Sequence, residues 1–285
     1  MVWMALTLHR SRVELQIFFA GGPVLIKGEV MRSNFLACLS GYLLSLSGFA
    51  FASEPSFPQP ALVRAPVDKI YVPHGFDDND NVELVLKGQF PNTCYKTGPV
   101  SVDVDKKSQK IKITAQSYRA QQTMCADVMI SFIQPVHLGI LDQGTYSVEL
   151  AGNPNVAPIQ LTIEAAKQAT QDDYLYAPVD IATVAADDSG DREVLRIEGN
   201  YPYMLVGCMV TKEVRTSYDK DGVLIVQPIS EFADGDECTS QKLSTHYKIE
   251  KDLGKSGPKG EYLIHVRTLN GLSLNYMVDS KPSRD

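Results

Sequence analysis

The second half of this chain repeats the first, and that constrains its fold more than any other feature. Ala65-Pro66-Val67-Asp68 returns 112 residues later as Ala177-Pro178-Val179-Asp180. An acidic turn follows in each copy, Asp77-Asp78-Asn79-Asp80 and then Asp187-Asp188-Ser189-Gly190-Asp191. Next come an alternating strand and a second turn, Gly88-Gln89-Phe90-Pro91 and Gly199-Asn200-Tyr201-Pro202. A cysteine follows each turn (Cys94, Cys208), and another stands 31 and 30 residues further on (Cys125, Cys238). Each copy nears its end at a G-x-Y, Gly144-Thr145-Tyr146 and Gly260-Glu261-Tyr262. Agreement in order and spacing over about a hundred residues is the mark of duplication. A chain of 285 residues has room for two domains of ordinary size. The predicted domains are 65–165 and 174–279, with a polar, aperiodic linker at 166–173, a Pro-rich lead-in at 53–64 and a tail at 280–285.

Within a copy the hydrophobic period is two. Val82, Leu84 and Leu86 alternate with Glu83, Val85 and Lys87, and Tyr146, Val148 and Leu150 alternate with Ser147 and Glu149. Each strand is therefore expected to turn one face to a core and the other to water. Turn residues fall between strands: Asp105-Lys106-Lys107-Ser108 in one copy, Asp219-Lys220-Asp221-Gly222 in the other, and Asn270-Gly271, the pair that supplies the positive φ of a tight hairpin. About seven short strands per copy and no convincing amphipathic helix predict an all-β chain of two tandem antiparallel β-sandwiches.

Asp142-Gln143-Gly144-Thr145-Tyr146 resembles the D-x-G-x-Y of the immunoglobulin tyrosine corner, in which a tyrosine hydroxyl bonds back to nearby backbone. The second copy keeps Gly260 and Tyr262, with Pro258 in place of the aspartate. The chain thus resembles exported immunoglobulin-like β-sandwich domains of bacteria. It departs from antibody domains in having Val148 and Ile264 where a cysteine would stand, and its single tryptophan is Trp3. The resemblance implies a fold and carries no functional residue across.

Of the five cysteines, Cys38 precedes the repeat; the other four allow three connectivities, and the repeat selects Cys94 with Cys125 and Cys208 with Cys238, each closing a loop inside its own copy. Zinc fails on spacing: there is no C-x-x-C, and His74, His137, His246 and His265 are not paired with the cysteines. No cofactor is expected.

Disulfides belong to oxidising compartments, and the N-terminal region agrees. From Met31 a short basic start leads into an uncharged apolar run at 35–51 and then Ala50-Phe51-Ala52, the parts of a secretory signal. Residues 1–52 are read as an upstream segment plus signal peptide with Met31 as the true start; the alternative is an uncleaved membrane anchor. Removing them takes four basic and two acidic residues and moves the net charge from −7 to −9. Such a surface disfavours nucleic acid.

Among possible sites, Asp77, Asp78, Asp80, Asp187, Asp188 and Asp191 offer the oxygens calcium needs. They are equally what an exposed turn needs, and Gly88 stands where a calcium loop places its glutamate. Plain turns and no metal are expected. There is no G-x-S-x-G, and no serine, histidine and carboxylate group together in the sequence. The second copy carries an apolar insertion before its cysteine, Tyr203-Met204-Leu205-Val206, expected to cover its own core or, alternatively, to anchor a partner. Tyr174, Tyr176, Tyr201 and Tyr203 are candidates for a sugar-binding platform. These readings converge on a non-catalytic exported binding or assembly module of the cell envelope, with a protein or surface glycan as partner. A structural accessory and a glycan-acting hydrolase are the alternatives.

Overall fold

The computed structural model describes residues 3–9, 12–19, 22–26, 58–186, 192–206, 208–233, 245–254 and 260–280. The chain divides into two compact units, Met1–Ser56 and Phe57–Asp285. In the first, β1 (Trp3–His9), β2 (Arg12–Phe19) and β3 (Gly22–Ile26) form an antiparallel meander. The expected signal segment and its cleavage site lie outside the described residues.

The second unit holds both repeats. The first copy comprises β4 (Ala61–Arg64), β5 (Val67–Tyr71), β6 (Phe76–Asp77), β7 (Val82–Phe90), β8 (Tyr95–Asp105), β9 (Lys110–Arg119), β10 (Ile130–Gly139), β11 (Gly144–Leu150) and β12 (Ile159–Glu164). The second comprises β13 (Ile181–Ala186), β14 (Glu193–Asn200), β15 (Met209–Tyr218), β16 (Val223–Phe232), β17 (His246–Gly254), β18 (Gly260–Thr268) and β19 (Leu272–Ser280). One strand order serves both. A three-stranded sheet, β10-β7-β5 or β17-β14-β13, faces a larger sheet containing β8-β9-β11-β12 or β15-β16-β18-β19. Buried Leu84, Leu86, Ile111, Ile113, Val148 and Leu161 fill the first sandwich; Leu195, Ile197, Val226, Ile264 and Val266 fill the second.

The antiparallel expectation needs correction, and the segments flanking the first sandwich join the fold. The sheets are mixed, because β9 pairs with β11 and β16 with β18 in parallel, whereas the immunoglobulin pattern is antiparallel throughout. The chain leaves β9 for the opposite sheet as β10 before returning as β11, so the two neighbours run the same way. The lead-in is structured: β4 pairs antiparallel with the C-terminal half of β9. The linker is also tied down, since Ala166 N–H donates to Asp78 Oδ1 (2.9 Å) and Gly271 N–H to Asp172 Oδ2 (3.1 Å).

Two turn readings hold. Asn270 and Gly271 both carry positive φ, 66° and 63°. The Tyr146 hydroxyl donates to Asp142 O at 3.1 Å, closing the tyrosine corner of the first copy. Tyr262 differs: its buried hydroxyl faces the Glu193 carboxylate, and burial together with that charge raises its pKa. Tyr146→Phe is expected to lower the stability of the first copy by about 1 kcal/mol, the net worth of one hydrogen bond. Urea unfolding checks this, and an unchanged midpoint would deny the corner any energetic role.

The copies also pack on one another. Tyr71 and Val85 of the first copy join Val223, Ile225 and Leu263 of the second in one apolar cluster. The three-stranded sheet of the first copy therefore lies on the four-stranded sheet of the second. Consequently β7, β16 and β18 are buried on both faces, against the expectation of one wet face. Polar contacts run in opposite order along β7 and β18, from Lys87–Glu261 (2.5 Å) to Asp80–Arg267 (3.4 Å). That antiparallel docking sends Cys94 and Cys208 to opposite ends of the pair.

Candidate functional site

Two regions collect the chemically active side chains: the junction between copies and the cysteine-bearing ends. At the junction, Glu83 Oε1 on β7 accepts from Ser273 Oγ (2.5 Å) and Asn275 Nδ2 (2.6 Å) on β19. His137 Nδ1 lies 3.0 Å from Glu83 Oε2. His265 is fully enclosed with its Nδ1 2.9 Å from Asn275 Oδ1, and burial pushes its pKa down to about 3, so it is neutral. Arg267 reaches from β18 into the first copy, donating to Gly75 O at 2.6 Å and Asp80 Oδ2 at 3.4 Å, with its guanidinium over the Phe76 ring. Burial raises the Asp80 carboxyl to about 6, while Arg267 and the Asp77 N–H draw it back.

The acidic turn of the first copy is thus a clamp rather than a spread of free ligands. Asp77 Oδ1 accepts from Asn79 N–H, Asp80 Oδ2 from Asp77 N–H, and Asp78 Oδ1 from Ala166 N–H. The Arg267 guanidinium beside Asp80 is a cation already in place at this turn. Asp187, Asp188 and Asp191 lie outside the described residues.

The fold makes one cluster that the sequence hides. His74 Nε2 lies 3.2 Å from Ser217 Oγ and His74 Nδ1 3.3 Å from Asp219 Oδ2, the connectivity of a serine–histidine–aspartate triad. His74 is more than 140 residues from both Ser217 and Asp219, so no local pattern announces the three together. Acyl transfer also needs N–H donors aimed at the developing oxyanion in a water-excluded site. Ser217 is exposed on β15, and the Asp221 and Val223 N–H groups beside it are both spent on Asp219 Oδ1. The cluster joins the turn of one copy to the hairpin of the other.

At the cysteine-bearing end of the first copy, Cys94 and Cys125 are bridged as expected, 31 residues apart. By loop entropy such a closure is worth roughly 3–4 kcal/mol. The loop at 120–126 is further pinned where Ala120 N–H donates to Cys94 O and Ala126 N–H to Thr93 Oγ1, both at 2.9 Å. Grooves of about 700 and 420 Å³ open on its two flanks. At the opposite end, Cys208 is described and Cys238 is not, so the second bridge lies outside the described residues. There Tyr203 and Met204 stand 92% and 85% exposed on a single 3-10 turn, Tyr203–Leu205. They cover no core. The expected tyrosine platform does not form either: Tyr176 and Tyr201 are buried and Tyr174 half-buried, which leaves Tyr203 alone in water.

Known proteins offer one point of comparison. No curated protein and no solved structure matches this chain. Residues 84–161, from within β7 to within β12, match the family model described as the ORF11 beta-sandwich domain, so the first copy is similar to a β-sandwich family.

Proposed function

We propose that this chain is an exported, non-catalytic binding or assembly module of a bacterial cell envelope, built from two immunoglobulin-like copies that act as one body. The observation that carries the reading is the Tyr203–Met204 tip. Two large apolar side chains are held in water on a turn beside Cys208, where a partner can bury them at little cost in chain entropy. An oxidising compartment is supported by the Cys94–Cys125 bridge. The apolar and polar junction supports rigid coupling, so a load or ligand at one end is felt at the other.

The tip is proposed to meet a protein, because its neighbours Pro202, Leu205 and Val206 add apolar surface and no charge. Replacing Tyr203 and Met204 together with serine is expected to change stability by no more than about 0.5 kcal/mol, as for exposed residues generally. Cross-linked capture of envelope proteins should be lost at the same time. Capture that survives the double substitution would sink the reading, and a stability loss of several kcal/mol would return the tip to its own core.

A further inference from the structure

From the far end of the molecule we infer a second binding site that goes beyond the proposed function and does not depend on the Tyr203 tip: the grooves flanking the Cys94–Cys125 loop bind an acidic saccharide. Charge is the first argument. The chain carries 34 acidic against 27 basic side chains, yet the described residues lining these two grooves include Lys96 and Arg119 and no carboxylate. On an acidic protein, two adjoining concave surfaces kept free of carboxylates, the larger given Lys96 and the smaller Arg119, favour an anionic ligand.

Lining chemistry narrows the class. Gln121, Gln122 and Thr123 border both grooves and offer amide and hydroxyl groups that can donate and accept, as sugar hydroxyls require. Tyr118, 41% exposed, lines the larger groove and supplies an apolar ring with a polar tip for the C–H face of a pyranose. A simple anion would need the cations alone. An acidic sugar in the larger groove uses Lys96, the amides and the Tyr118 ring together.

The loop is also pre-organised. Gln122 adopts φ +51°, a left-handed conformation that costs a non-glycine residue energy and persists only where its surroundings hold it. Here the bridge at Cys125 and the Thr93–Ala126 bonds do so. Ordering the loop in advance lowers the entropy lost when a ligand binds.

The test is calorimetric titration of the intact protein with a tri-uronate, its neutral trisaccharide counterpart, hexaglutamate and inorganic phosphate. The tri-uronate is expected to bind at least tenfold more tightly than the other three. Lys96→Ala and Tyr118→Ala should each weaken it about tenfold, while Lys212→Ala, on the second copy, leaves it unchanged. All three side chains are solvent-facing, so unaltered melting curves will certify the fold of each variant. Equal binding of hexaglutamate or phosphate would reduce the grooves to a charge effect and overturn the saccharide. Equal binding of the neutral sugar, or no binding at all, overturns the site itself. Neither result touches the Tyr203 tip, whose capture assay stands separately.

Discussion

Gly88→Ala is expected to destabilise the first copy by about 3–4 kcal/mol, near the top of what one added methyl costs. A Cβ at Gly88 would stand 2.1 Å from Pro66 O and 2.7 Å from the Phe132 ring. Backbone oxygen cannot rotate away as a flexible side chain can, so β5 must shift off β7 and take its half of the sheet with it. Gly199 repeats the arrangement, with Pro178 O at 2.0 Å and the Tyr247 ring at 2.8 Å. There the Tyr247 hydroxyl also donates to Pro178 O at 2.7 Å, a bond that an alanine would break. Gly139→Ala is the control: φ is +72°, but no heavy atom lies within 4 Å of its Cβ position. It should cost only the roughly 1 kcal/mol of a left-handed alanine. Urea midpoints of the three variants rank them, and a Gly88→Ala loss no larger than that of Gly139→Ala would show that β5 does not approach β7 this closely.

Those two glycines also show what was legible in the sequence. Gly88 and Gly199, and Pro66 and Pro178, occupy matching places in the repeat, and each pair does the same work in its copy. Period-two patterning located the strands because each sandwich has an inner face that must be apolar. Sheet order was less accessible. Nothing local distinguishes β9 beside β11 in parallel from β8 beside β11 antiparallel, since both bury the same alternating residues. The junction was partly written in the chain: Val223-Leu224-Ile225-Val226 and Tyr262 to Val266 are near-continuous apolar runs, the pattern of strands covered on both sides. Glu83, His265 and Arg267 masked that signal, because charged residues within a strand read as a wet face. Their burial becomes intelligible only with their partners, and for Glu83 and Arg267 these include Ser273, Asn275, Gly75 and Asp80 of the other copy. The Ser217–His74–Asp219 cluster and the acid-free grooves were hidden for the same reason: each draws on segments that meet only after folding.

Arg267→Met should cost about 3–5 kcal/mol at pH 8, because it strands Asp80 as an unpaired charge inside the junction. The size of that loss is expected to depend on pH, and its sign follows from Asp80. In the folded protein the Asp80 carboxyl titrates near 6, above its ordinary 3.8, chiefly because burial penalises the charged form. A raised acid pKa means that the fold holds this proton more tightly than the unfolded chain does. The contribution is complete below about 3.8 and lost as pH rises through 6. His265 acts in the opposite sense: with its pKa pushed down from 6.5 to about 3, it favours the fold above 6.5, and that support is lost as pH falls toward 3. A raw stability profile therefore mixes the two, and Asp77 and Asp172 add their own charges near Asp80. Asp80→Asn separates them by fixing the neutral form. The stability of the parent relative to Asp80→Asn should grow by about 2–3 kcal/mol between pH 8 and pH 4, the worth of a two-unit shift. The penalty for Arg267→Met should shrink over the same interval, because Asp80 can then take up a proton instead of remaining charged without a partner. Unfolding curves at pH 8, 6 and 4 for the parent and both variants measure these differences. A difference between parent and Asp80→Asn that stays flat across that range would mean that burial does not raise the Asp80 carboxyl above its ordinary value, and an Arg267→Met variant as stable as the parent at pH 8 would mean that Arg267 does not clamp the two copies.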